Sequence, residues 1–161
     1  MAISYVGYGF NVYDIPNKTL LGFMQKYSPD LFNRIVKNLK KKGILKETEE
    51  PTLEFLDDNV NADEYVEKIY KSRATYVKKV LNEQIRKDYH IKKGVVQVFD
   101  FYVAFVNIYS PEIKALIPSE KAFVDLILKY IDVDAFDDVW ENDDSVLGDD
   151  TYYFMESDWM D

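Results

Sequence analysis

The sequence predicts an α+β fold. It should form one small domain in which a few-stranded antiparallel sheet packs against a long central helix and several shorter helices, ending in an acidic, aromatic C-terminal segment. Three observations carry this. A chain of 161 residues suits a single domain, and 47% apolar with 16% aromatic residues is enough to build a core. Stretches rich in Tyr, Val and Phe, which suit strands, are interspersed with segments whose apolar residues recur at helical spacing. Capping residues, a Ser-Pro pair at two helix starts and glycines beyond helix ends punctuate those segments. The chain divides into a basic-leaning core, residues 1–131, and an acidic segment, residues 132–161, expected to pack on the same domain.

Ile3 to Tyr13 reads as a strand in which Gly7 and Gly9 share one side and mark a bulge or a close backbone approach. Asn17 to Tyr27 reads as a short helix. Ser28-Pro29-Asp30 starts another, in which Leu31, Phe32, Ile35, Val36 and Leu39 keep helical spacing until Gly43. The long helix is expected from Asn61 to about Tyr89. Asn61 is its cap, Glu64 completes a capping box, and Val60 staples onto Tyr65. Val66, Ile69, Tyr70, Val77, Val80, Leu81 and Ile85 form its apolar stripe. Val95 to Tyr109 is apolar on both faces and reads as one central strand, although periodicity alone does not separate it from a buried helix. Ser110-Pro111 opens a short helix, Ser119 caps another over Glu120 to Ile131, and Gly148 and Thr151 to Met155 read as a turn and a last strand.

Charge falls in blocks. Lys18 to Lys46 carries net +7, Glu47 to Glu67 carries −9, Lys68 to Lys93 carries +7, and Ile131 to Asp161 carries −12 with no base. The total of −9 therefore comes entirely from the C-terminal end, since the first 130 residues sum to +3. Asymmetry of this size bears on partners. Lysine outnumbers arginine 17 to 3, and Ile, Asn, Tyr and Phe are frequent, which fits an AT-rich bacterial, viral or mobile-element genome.

Several chemistries are excluded. There is no cysteine, so disulfides and thiolate metal sites cannot form. His90 is the only histidine, and no serine stands in a nucleophile motif, so a catalytic triad has no basis. Placed near the end of the long helix, His90 is expected to cap its carbonyls. Gly7-Tyr8-Gly9 lacks the third glycine and following helix of a dinucleotide fingerprint. The first ten residues lack the basic region of a signal peptide, and the apolar run is too short to span a bilayer. A cytoplasmic location fits these features. Asp132-Val133-Asp134 suggests a calcium loop, but Asp137 stands where glycine is needed and Asp143 where glutamate is needed. Asp100 with Glu112-Ile113-Lys114 is similar to the Asp…Glu-x-Lys pattern of metal-dependent nucleases, yet the second half follows Ser-Pro and should open a helix rather than lie on a strand. No metal or other cofactor is expected.

The acidic segment is the strongest functional signal. Asp132, Asp134, Asp137, Asp138, Glu141, Asp143, Asp144, Asp149 and Asp150 are interleaved with Phe136, Trp140, Tyr152, Tyr153, Phe154 and Trp159. Carboxylates can present a phosphate-like array to a basic cleft, while an aromatic such as Trp140 anchors the interface. Two plainer arrangements give the same pattern: the aromatics pack on the domain and leave a solvated acidic rim, or the segment lies along the chain's own basic helices. The expected function is that of a non-enzymatic interaction protein. Its partner is a protein with a basic surface, itself nucleic-acid-binding, and phage or mobile-element inhibition by DNA-like charge mimicry fits the pattern. The alternative is nucleic-acid binding by two clusters. One is Arg34, Lys37, Lys40, Lys41, Lys42 and Lys46; the other is Lys71, Arg73, Lys78, Lys79, Arg86, Lys87, Lys92 and Lys93, with Tyr70, Tyr76 and Tyr89 to stack on bases. A metal-dependent nuclease is a distant third.

Overall fold

The aromatic and β-branched start of the chain forms strand β1, Ala2–Asn11, which ends in a single 3₁₀ turn, Val12–Asp14, capped by the Asn11 side chain. The structure is a computed structural model and describes residues 2–99, 102–106, 110–131 and 154–160. Five helices follow: α1, Asn17–Tyr27; α2, Pro29–Lys41; α3, Leu53–Asn59; α4, Ala62–Tyr70; and α5, Arg73–Tyr89. Strands β2, Val96–Phe99, and β3, Tyr102–Val106, precede helices α6, Pro111–Leu116, and α7, Glu120–Tyr130. Strand β4, Phe154–Met160, completes an antiparallel sheet in the order β2-β3-β1-β4. The α+β class is therefore as the sequence predicts.

Two expected elements divide. The run from Val95 is a hairpin rather than one strand: β2 and β3 pair antiparallel with Phe99 opposite Tyr102, and Asp100 and Phe101 lie between them outside the described residues. The expected long helix is two helices. Lys71 leaves the α region at φ 72°, and Ser72 caps α5 by accepting a hydrogen bond from the Thr75 amide. Asn61 does cap α4, but it accepts from the Asp63 amide. Ile69, expected on the apolar stripe, is 48% exposed, whereas Val66, Val77, Val80, Leu81 and Ile85 are buried. The bulge in β1 lies between Ile3 and Tyr5, not at the glycines; Gly9 instead stands opposite Ala104 on β3.

The core joins the helices to one another and to the sheet. Tyr8 and Phe105 are cross-strand partners, and Phe123 of α7 lies on both, its ring centroid 5.8 Å from Tyr8 and 5.7 Å from Phe105. Two side-chain amides act as splices. Asn17 at the start of α1 donates to Asp57 and to the Val60 carbonyl and accepts from the Ala62 amide, fixing α3 and α4 against α1. Asn82 of α5 accepts from the amides of Val95 and Val96 and donates to the Val96 carbonyl, fixing α5 to the start of β2. Gly94 sits close beside it: a Cβ there would lie 3.0–3.2 Å from the Asn82 amide group, so a larger residue would press on this splice.

Candidate functional site

The ten residues singled out in the acidic segment, Asp132, Asp134, Asp137, Asp138, Trp140, Glu141, Asp143, Asp144, Asp149 and Asp150, lie outside the described residues. So do Gly148, Phe136, Tyr152 and Tyr153. The structure does describe the two ends of this stretch. On one side Tyr130 and Ile131 are buried at the end of α7. On the other, β4 pairs with β1 from Gly7 opposite Phe154 to Ala2 opposite Met160. Residues 132–153, with nine acids and no base, thus run between two ends that both belong to the folded domain.

The α7 end is held by a small polar cluster. The Tyr130 hydroxyl donates to Asp88 of α5 at 2.7 Å, and the Lys129 ammonium lies 3.8 Å from the same carboxylate and over the Tyr89 ring. Burial, then the hydrogen bond to Asp88, pushes the Tyr130 phenol well above its usual range. Lys26 and Lys129 flank a groove of about 420 Å³ between α1, Leu53 and the end of α7, at the point where the acidic segment departs.

The basic clusters are sorted by the fold. Arg34, Lys37, Lys41, Lys42 and Lys46 are exposed on or just after α2, with Lys40 half-buried. Lys71, Lys79, Arg86, Lys87, Lys92 and Lys93 are exposed, and Lys78 is half-buried. Arg73 is not part of that surface. It is 6% exposed, pairs with Asp63 through two hydrogen bonds of 2.8 and 2.7 Å, and donates to the carbonyls of Val12 and Ile15 at 3.0 and 2.6 Å. Four of the five guanidinium N–H groups are spent on internal acceptors, and the side chain is buried, so it is not available to phosphates. Nor can Tyr76 stack on a base. It is fully buried and donates to Ser28 at 2.7 Å, and burial raises its phenol to about 12. The sequence reading grouped Arg73 with the surface cations by its charge, although position 73 lies in phase with the apolar stripe, three residues after Tyr70 and four before Val77. The signal for its inward turn was Ser72, a cap in mid-run.

The remaining motifs resolve simply. Glu112 and Lys114 are exposed on α6, which Ser110 caps, so the Glu-x-Lys pair is on a helix as expected; Asp100 lies outside the described residues. His90 is the left-handed residue closing α5 at φ 55°, and its backbone amide, not its ring, meets the Arg86 carbonyl. Among the described residues no three carboxylate or imidazole groups come together closely enough to share a cation, and no helix is long and apolar enough to cross a membrane. Compared with protein families, with curated proteins and with solved structures, the chain matches none.

Proposed function

We propose that this is a non-enzymatic interaction protein that binds a basic protein partner, itself nucleic-acid-binding, through its acidic C-terminal third. One observation carries the reading. Nine acids without a base occupy residues 132–153, and the stretch is tied at one end to buried Ile131 and at the other to strand β4. A segment tied at both ends loses less chain entropy on docking than a free tail, so more of its electrostatic attraction is retained as affinity. The proposal extends to an intracellular, cytoplasmic setting and to inhibition by DNA-like charge mimicry, the use to which a phage or mobile element would put such a surface.

Salt-dependent capture from a host lysate tests this. The expected result is a basic protein retained at low salt and released as screening rises. Changing Asp137, Asp138, Asp143 and Asp144 together to Asn should weaken capture by between about fourfold and several hundredfold, since four screened pairs each contribute about 0.2–1 kcal/mol. Stability should barely fall, because like-charge repulsion is relieved. Capture that survives both salt and the four substitutions refutes the reading. Nucleic-acid binding remains the second reading, supported by the exposed cations of α2 and α5. Duplex DNA should nonetheless give no gel shift at physiological salt, because the net charge of −9 opposes phosphate approach.

A further inference from the structure

The charge map contains a second surface of opposite sign. α2 and the turn after it, residues 29–46, carry six cations against one acid, Asp30. Along one flank of α2 runs a groove of about 490 Å³. Phe32 and Val36, one helical turn apart, form its apolar floor, and Lys37, Lys40 and Lys41 form its wall; Glu47 and Glu50 close the far side. A groove of this size accommodates large side chains, and its cations would face whatever flanks them. Three lysines against two glutamates leave the lining net positive, and its apolar floor suits aromatic side chains, so an acidic chain with aromatic anchors complements it. Residues 132–153 of this same protein have that composition: nine acids, no base, and Phe136, Trp140, Tyr152 and Tyr153.

We propose that the α2 groove receives the acidic segment of a second copy, so that the protein self-associates at low salt and conceals there the carboxylates it would offer a basic partner. The inference rests on reading residues 132–153 as an interaction surface. α2 packs chiefly on α1, whereas the segment is tied to α7 and to the sheet. The end of α7 lies beside α1, with the Tyr130 ring 6.2 Å from that of Tyr27, and α2 packs on α1, so the chain's own segment is the competing occupant; it would leave the protein monomeric at every salt concentration. Exchanged reciprocally, groove to segment and segment to groove, the contact closes as a two-fold dimer and leaves no open end.

Sedimentation of the full chain tests this. At roughly 50 mM salt a dimer is expected, and at roughly 500 mM, where the screening length falls severalfold below that at low salt, a monomer. K37E/K41E, two exposed positions whose change should leave the melting curve in place, should be monomeric at low salt, and so should D137K/D138K. Mixing the two variants should restore a mixed dimer, because the reversed charges again face each other. A monomer at both salt levels, a dimer indifferent to K37E/K41E, or no recovery on mixing overturns the proposal. So does a salt-sensitive complex with a duplex oligonucleotide that K37E/K41E abolishes while no dimer forms, which would assign the groove to phosphate. Capture of a basic partner by a chain that stays monomeric at every salt concentration would leave the acidic-segment reading standing and remove this one alone.

Discussion

Replacing Arg73 with alanine should be among the most damaging single changes in this protein. The side chain is held where four acceptors converge: both carboxylate oxygens of Asp63 on α4, and the carbonyls of Val12 and Ile15 at the turn that ends β1. Its guanidinium also lies over the Tyr13 ring at 5.3 Å. Removing one member of a buried ion pair costs about 3–5 kcal/mol, because the other charge is left unpaired. Asp63 keeps 20% of its side-chain surface. Water can therefore replace part of what the guanidinium supplied, which moves the expected loss to the low end, about 3 kcal/mol. Arg73→Lys keeps the charge but cannot fork to two oxygens and two carbonyls, and about 2 kcal/mol should still be lost. Urea denaturation of R73A, R73K, D63A and R73A/D63A measures these values and their coupling. A loss below about 1 kcal/mol for R73A, the range of an exposed pair, would refute the claim that this bridge fastens the α4–α5 junction to the sheet. So would a coupling below about 0.5 kcal/mol.

Asn82→Ala removes three hydrogen bonds between α5 and β2 and should cost about 2–3 kcal/mol in the same assay, whereas Asn82→Asp, which lacks the donor to the Val96 carbonyl, should also lose stability. Tyr76 gives a pH dependence. Its phenol rises from 10.0 to about 12 in the fold, so the stabilisation is complete below pH 10 and is lost as pH climbs towards 12; Tyr76→Phe should flatten that alkaline limb of the stability curve. With Mg²⁺ present the protein should not cleave DNA or RNA, and cleavage abolished by Asp100→Asn would end the non-enzymatic reading.

Where capping chemistry is local, the sequence was legible to within a residue or two. Ser28-Pro29, Ser110-Pro111 and Ser119 lead directly into α2, α6 and α7, because a cap or an N-terminal proline acts on the next few amides alone. Even so, the Ser28 hydroxyl does not cap α2: it receives the hydrogen bond from Tyr76, a tertiary contact that no local pattern encodes. Legibility fails where the deciding interaction is distant. The split between α4 and α5 depends on Arg73 reaching back to Val12 and Ile15, residues about sixty positions earlier in the chain. The β2–β3 hairpin lacks the Asn-Gly or Gly-rich signal that usually marks such a turn, so the apolar run reads as continuous. Helix α3 lies in the acidic block, where charge count obscures the short apolar pattern of Leu53, Phe55 and Leu56 behind its Thr52 cap.

The fold also changes what the charge blocks mean. In sequence, the two basic blocks are equivalent at +7 each. In the structure they are not. The second gives up Arg73 to Asp63 in a buried pair, whereas the first engages its cations only at the surface, Lys18 with Glu54 at 3.5 Å and Lys26 over the Tyr27 ring. The first keeps Lys37 and Lys41 exposed beside the groove floored by Phe32 and Val36, with Arg34 exposed on another flank of the same helix. An acidic ligand, from this chain or another, would therefore be expected to discriminate between blocks of equal net charge. Charge reversal on α2 should alter association far more than the same reversal at Lys87 and Lys92, which are also exposed but line none of the described grooves. Equal effects from the two pairs would mean that net charge alone governs association and that the α2 groove contributes no specificity.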